Sequence, residues 1–160
     1  MEIRGVGEGD RAVVAGLLAG SWGTTAVVVH GVRYDAAELP GLLALREGRV
    51  AGLLTYTMGV DGLEVVTLDA VERGLGVGSA LIDAAAGVAE EAGLERMWLV
   101  TTNDNLDALR FYQRRGLCIS GVAPGAMAGN RQLKPTIPDI GAYGIPIRDE
   151  ITLAMRLPRR

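Results

Sequence analysis

The chain has little of the chemistry that metals and disulfides need. Among its 160 residues there is one cysteine, Cys118, and one histidine, His30. A single thiol excludes an internal disulfide and any multi-cysteine metal site. No metal cofactor is expected, and Cys118, next to Leu117 at a strand start, reads as small core filler. His30, beside a glycine, reads as structural or exposed. Positive charge is not in excess: 16 Lys plus Arg stand against 19 Asp plus Glu, a net charge of −3. That argues against a general nucleic-acid surface. No apolar run reaches about eighteen residues, and the polar N-terminus lacks signal-peptide character. A soluble, cytoplasmic protein that does not engage the membrane is therefore expected. Linkers, low-complexity tracts and repeats are absent, and the length suits one domain over 1–160.

What the sequence does have is a glycine cluster between a strand and a helix. Leu63 to Val71 is rich in Val and Leu and reads as a buried strand. Arg73-Gly74-Leu75-Gly76-Val77-Gly78 follows, and then Val77, Leu81, Ala84 and Val88 recur at helical spacing as far as Ala92. A helix start carries unpartnered N–H groups and partial positive charge, and glycines let backbone approach an anion closely. The glycines alone are equally compatible with a tight strand–helix connection, because a lone Gly-x-Gly is a weak signal. A nucleotide loop is disfavoured, since no Gly-Lys-Ser/Thr follows.

Taken in order, the chain opens with a short strand over Glu2 to Val6. A helix over Arg11 to Ala19 follows, with Val13, Val14, Leu17 and Leu18 as its stripe, and ends at Ser21-Trp22-Gly23. Thr25 to Val29 is β-branched and reads as an exposed edge strand, a pairing surface for a homodimer. Tyr34 to Leu39 reads as a loop or short helix. Leu42 to Arg46 and Arg49 to Met58 form a hairpin turned at Glu47-Gly48. After the glycine loop and its helix come a strand over Glu95 to Thr102, a helix from Asn105 to Gly116, and a strand over Leu117 to Val122. A helical segment from about Pro124 to Lys134 precedes a Pro- and Gly-rich run without regular structure, and Glu150 to Leu157 is the last strand. The expected fold is mixed α/β: a central, mostly antiparallel sheet of about seven strands with helices on both faces.

Two motifs in this order carry a specific likeness. Arg73, Gly76 and Gly78 lie on the strand–helix turn, and Asn105, Ala108 and Tyr112 open the helix after the next strand. Together they resemble the GNAT superfamily of N-acetyltransferases. The stretches VTTNDNLDALRFYQRRG, LKPTIPDIGAYGIPIRDE and the early Ser-Trp-Gly are further similar to a GNAT subgroup of unassigned substrate.

The resemblance implies an acetyl-CoA co-substrate and direct transfer of the acetyl group to an amine on a small molecule or peptide. It assigns Arg73, Gly74, Leu75, Gly76, Val77, Gly78 and Ser79 to the pyrophosphate. Leu68, Asp69, Ala70 and Val71 align with the strand that meets the pantetheine arm, although the bulky residues and proline usual before the loop are replaced by Ala70-Val71-Glu72. Asn105 and Ala108 belong to the second motif; residue chemistry alone makes Asn105 a helix N-cap. Tyr112, alone a half-buried aromatic, takes the place of the general acid, and its hydroxyl, with an ordinary pKa of about 10, is a feasible donor to a thiolate. Glu64 is the candidate base, with Asp69 the other carboxylate on the strand; alternation puts the two on opposite faces unless a bulge intervenes. Thr101 to Asp104 and Arg148 to Glu150 are placed near an acceptor, the latter equally readable as a solvated turn. A noncatalytic acyl-CoA-binding or regulatory module on the same scaffold is the alternative reading.

Overall fold

The structure, a computed structural model, describes residues 1–159. Strands β1 (Glu2–Gly5), β4 (Gly41–Arg46), β5 (Arg49–Gly59), β6 (Gly62–Ala70), β7 (Arg96–Thr102), β8 (Cys118–Ala123) and β9 (Glu150–Arg156) form a seven-stranded sheet in the order β1-β4-β5-β6-β7-β9-β8. Helices are α1 (Arg11–Trp22), α2 (Val77–Glu91), α3 (Leu106–Arg114) and α4 (Met127–Leu133). This is the mixed, mostly antiparallel α/β architecture that the sequence pattern predicts. No helix among the described residues is long and apolar enough to cross a membrane.

One expectation fails at β2 (Ala26–Val29). It is not an edge of the main sheet; it pairs only with β3 (Val32–Asp35) in a separate two-stranded sheet. Ala26 and Val27 are buried and Val28 and Val29 half-buried, so the run is not the fully exposed strand expected. The turn is His30–Gly31, both at positive φ, the geometry that two-residue hairpins favour. Histidine is not a usual residue for that turn, which is why the second strand was unreadable.

The chain divides into two compact units: Met1–Val27 with Asp35–Met97 and the residues from Arg156, and Val28–Tyr34 with Trp98–Met155. In the first, alternation along β5 separates two packing layers. Leu53 packs with Val14 and Leu18 of α1 and with Val27 and Ala36. Its neighbour Gly52 faces the other way, against Val77 and Leu81 of α2. Buried residues of α1 are Val14 and Leu18, while Val13, expected in the stripe, is largely exposed. The α2 face comprises Val77, Leu81, Ile82, Ala85, Ala86 and Ala89; Ala84 and Val88 flank it half-buried. The β4–β5 turn, Glu47–Gly48, again has both residues at positive φ.

Gly52 carries a testable consequence. A Cβ built there would lie 2.5 Å from Val77 Cγ1 and 2.9 Å from the Asp69 carbonyl oxygen. Gly52→Ala should therefore cost roughly 1–3 kcal/mol through overpacking and push out the first turn of α2. A denaturant midpoint equal to the parent's would show that α2 yields freely.

In the second unit, β8 forms the outer end of the sheet order and pairs with β9 from Cys118↔Ala154 to Ala123↔Glu150, with a register shift between Ile119 and Gly121. Cys118 is exposed rather than core filler, because an outermost strand has no layer over this position. Beyond α4, the run to Glu150 holds only a short 3₁₀ turn at Ala142–Gly144 and one bridge, Ile140 to Pro146.

Candidate active site

In the first unit the glycine loop leaves β6 and enters α2. Gly74 and Gly76 have φ of 82° and 75°, conformations that side-chain-bearing residues adopt only with strain. Gly76 is the N-cap of α2, and no side chain caps the helix start. Residues 71–76 are exposed and Val77 is buried, so the loop presents backbone outward while its first helical residue anchors it. Beside the loop, Glu72 pairs with Arg46 at 3.3 Å, which leaves Arg73 as its own cation on the open side. A 15-residue helix with such a start is suited to an anionic group.

The strand before the loop departs from simple alternation. Thr55 pairs with Thr67 and Tyr56 with Val65, so Val66 is an extra residue on β6, a β-bulge. On β5, Leu53, Thr55 and Thr57 share one face, and their partners are Asp69, Thr67 and Glu64. The facing Thr55 and Thr67 hydroxyls lie 2.6 Å apart. Glu64 and Asp69, expected on opposite faces, thus share the face toward α1. Glu64 is only 3% exposed.

Asp69 accepts a hydrogen bond from Trp22 Nε1 at 3.0 Å. Burial pushes its carboxyl above the ordinary value, while hydrogen bonds from Trp22 and Ser21 act the other way. Ser21 and Trp22 are the residues of the early Ser-Trp-Gly stretch. The folded protein therefore holds the Asp69 proton more tightly than the unfolded chain. The stability linked to that proton is fully present below the unfolded value of 3.8 and is lost as pH rises through the folded one. Asp69→Asn keeps an oxygen for Trp22 and removes this loss. Its stability relative to the parent should climb as pH rises through that window; a constant difference in denaturation across pH would contradict a raised Asp69.

In the second unit, α3 carries Asn105, Ala108 and Tyr112. Asn105 is the N-cap: Oδ1 accepts the Ala108 N–H at 3.4 Å and Nδ2 donates to Thr101 Oγ1 at 3.1 Å. The capping role read from residue chemistry is thus present. Tyr112 is half-buried, with its ring edge-on to Phe111 at 5.3 Å. Leu109 and Phe111 do not sink into the core, since α3 has no fully buried residue. The Arg115 guanidinium lies 3.9 Å over the Phe111 ring.

Asn103 and Asp104, expected at the edge that meets an acceptor, are engaged with the chain's own insertion. Asn103 Oδ1 accepts the Arg148 and Asp149 N–H groups, each at 3.0 Å, and Nδ2 donates to the Pro146 carbonyl. Asp104 Oδ2 accepts the Ala142 N–H at 2.9 Å. The Asp104 carboxylate fills the space a Cβ at Gly141 would need. The Tyr143 hydroxyl donates to Asp107. Glu150 is not on a solvated turn but buried, and Asp149 accepts the Gly125 N–H. Asn130, buried inside α4, had no readable sequence signal.

Among the described residues no group of three or more His, Cys, Asp or Glu is arranged to hold a metal ion. The predicted residues therefore sort into two sets. Glu64, Leu68 to Val71 and Arg73 to Ser79 are contiguous on β6, the loop and α2. Asn105, Ala108 and Tyr112 share α3, with Asn105 and Tyr112 about two turns apart on one side.

Comparison with known proteins gives these sets a context. The model of the acetyltransferase (GNAT) family matches residues 20–117. The uncharacterized protein YdhI of Bacillus subtilis (strain 168) is 39% identical over 81% of this chain and 82% of its own. The structure of an IAA acetyltransferase from Bacillus cereus ATCC 14579 superposes with a TM-score of 0.76 at 22% identity, covering 98% of this chain and 99% of that one. A GNAT family acetyltransferase from Elizabethkingia anophelis, with acetyl-CoA bound, superposes with a TM-score of 0.70 at 18% identity, over 98% of this chain and 97% of that one.

Proposed function

This chain belongs to the GNAT family of acetyltransferases, and on that premise we propose that it transfers the acetyl group of acetyl-CoA directly to an amine, with residues 1–160 acting as one catalytic domain. The observation that carries the reading is the exposed loop Arg73 to Gly76, with Gly74 and Gly76 at positive φ before an uncapped helix start. Backbone N–H groups there suit the pyrophosphate, and Arg73 adds charge. The acetyl-CoA bound in the Elizabethkingia anophelis structure supports the same co-substrate. That co-substrate supplies an activated thioester.

The chain's own residues then move protons. Glu64, directly or through a water, accepts the proton of the attacking amine as the N–C bond forms. Tyr112 donates its proton to the sulfur as the C–S bond breaks. Asn105 and Ala108 steady the pantetheine arm, and Leu68 to Val71 meet it along β6. A net charge of −3 favours a cationic amine over an acidic one.

A panel of small-molecule and peptide amines, assayed by thiol release with acetyl-CoA, tests the reading. Turnover on at least one amine supports it. Binding of acetyl-CoA without turnover on any would leave a noncatalytic acyl-CoA module. Glu64→Gln should reduce turnover most at low pH and recover as the amine deprotonates itself. A uniform loss across pH, or none, would pass the role to Asp69 or to bulk water.

A further inference from the structure

The seven-stranded sheet ends in β1 on one side and β8 on the other, and the two ends differ. Glu2 and Arg4 are two of the four residues of β1, and charge on an edge deters a further strand. β8 reads Cys-Ile-Ser-Gly-Val-Ala, with no charge and no proline. Five of its six residues are exposed, Ile119 to 50% and Val122 to 58%. Among the described residues only β9 pairs with it, so its outer row of N–H and C=O groups faces away from the sheet.

A register shift decides what this edge presents. Ile119 lies opposite Leu153 and Val122 opposite Ile151, so Ser120 is an extra residue and the two apolar side chains share one face. Three positions apart in a regular strand, they would point to opposite faces. Leu153 is buried and Ile151 half-buried; Ile119 and Val122 carry that apolar face out to the rim, where they stand exposed. Charge flanks the strand unequally. Arg114 and Arg115 close α3 and lead into β8, while Asp149 lies at its other end, accepting the Gly125 N–H at 2.8 Å.

We propose that β8 is the docking edge for a second copy of this chain. Two β8 strands pair antiparallel about a two-fold axis perpendicular to the sheet, joining seven strands from each copy into one sheet. Under that axis an edge is its own complement, because each outward donor meets an acceptor of the same strand in the other copy. Centred between Ser120 and Gly121, the pairing sets Ile119 of each copy opposite Val122 of the other, on one face. It also brings the basic lead-in of one strand beside the Asp149 end of the other. The charged β1 edge deters further growth, so assembly closes at two copies. The inference is independent of the acetyltransferase reading.

Sedimentation equilibrium of the full chain over a concentration series should give the mass of two chains. Ile119→Lys combined with Val122→Lys sets like charges opposite one another across the axis. Both positions are exposed in the single chain, so the variant should keep the parent's circular dichroism. Its dimer dissociation constant should rise on the order of a hundredfold. Spin labels on Cys118, the one thiol of the chain, then test the geometry. In the centred pairing the two Cys118 Cα atoms stand five positions apart along the strand, roughly 17 Å. A monomer throughout the series would overturn the proposal. So would a dimer whose labels lie several times farther apart, or one that the double substitution leaves as tight as before. A parent that stays monomeric while an added extended peptide shields Cys118 from alkylation would give the edge to a foreign strand and overturn self-pairing. Should the double variant not fold, the parent's mass and label distance decide alone.

Discussion

Tyr112→Phe should lower turnover at least about tenfold, within the roughly 10²–10⁴-fold that a positioned acid contributes, and leave acetyl-CoA affinity nearly unchanged. The substitution keeps the ring, its edge contact with Phe111 and its half-buried place on α3. Only the hydroxyl goes. As the C–S bond breaks, negative charge gathers on sulfur, and a donor that meets it there acts mainly in the transition state. The loss should therefore fall on kcat and on kcat/KM alike. A thiol leaving group of lower pKa needs less help, so an activated acetyl thioester should narrow the gap between variant and parent. Equal turnover by both proteins on their best acceptor would make Tyr112 a packing residue.

The second large effect concerns Gly78. Acetyl-CoA should raise the melting temperature of the parent, as a ligand selective for the folded state does. Gly78→Glu should abolish that rise. Gly78 lies in the first turn of α2 and, unlike Gly74 and Gly76, has no positive φ. A side chain is thus compatible with its backbone. Glutamate is also a better helix former than glycine, by about 1 kcal/mol, and its charge suits a helix N-terminus. The free variant should fold at least as well as the parent. Its carboxylate would stand where the pyrophosphate comes, and like charges at contact distance should weaken binding on the order of a hundredfold or more. A ligand-induced shift equal to the parent's would remove this loop from the site.

The chain's own pattern made most of the fold legible. Alternating and β-branched runs located the seven main strands to within a residue or two, and Gly23 and Gly76 marked the end of α1 and the start of α2. Glu47-Gly48 was readable because a glycine in the second turn position removes the cost of positive φ. His30-Gly31 has the same geometry and was not, because its first residue is an aromatic under strain. Cys118 was misjudged since a small apolar residue on an outermost strand looks the same in sequence as one in a layer.

By itself the sequence determined the family: the glycine loop and the Asn105–Tyr112 helix are local motifs, and local spacing on one strand–helix unit needs no knowledge of distant contacts. It likewise determined that β6 leads into an anion-suited helix start. Only the tertiary structure decided which carboxylates stand together. The bulge at Val66 depends on how β6 registers against β5, and that one extra residue turns Glu64 to the face of Asp69. Only the tertiary structure brought Trp22 to Asp69, Asn103 and Asp104 to the 142–149 backbone, and Glu150 to the His30 turn. These pairs are separated by some 38 to 120 positions in the chain. Each rests on a buried or half-buried polar atom whose partner is settled by packing, and no residue type or spacing along the chain encodes that choice.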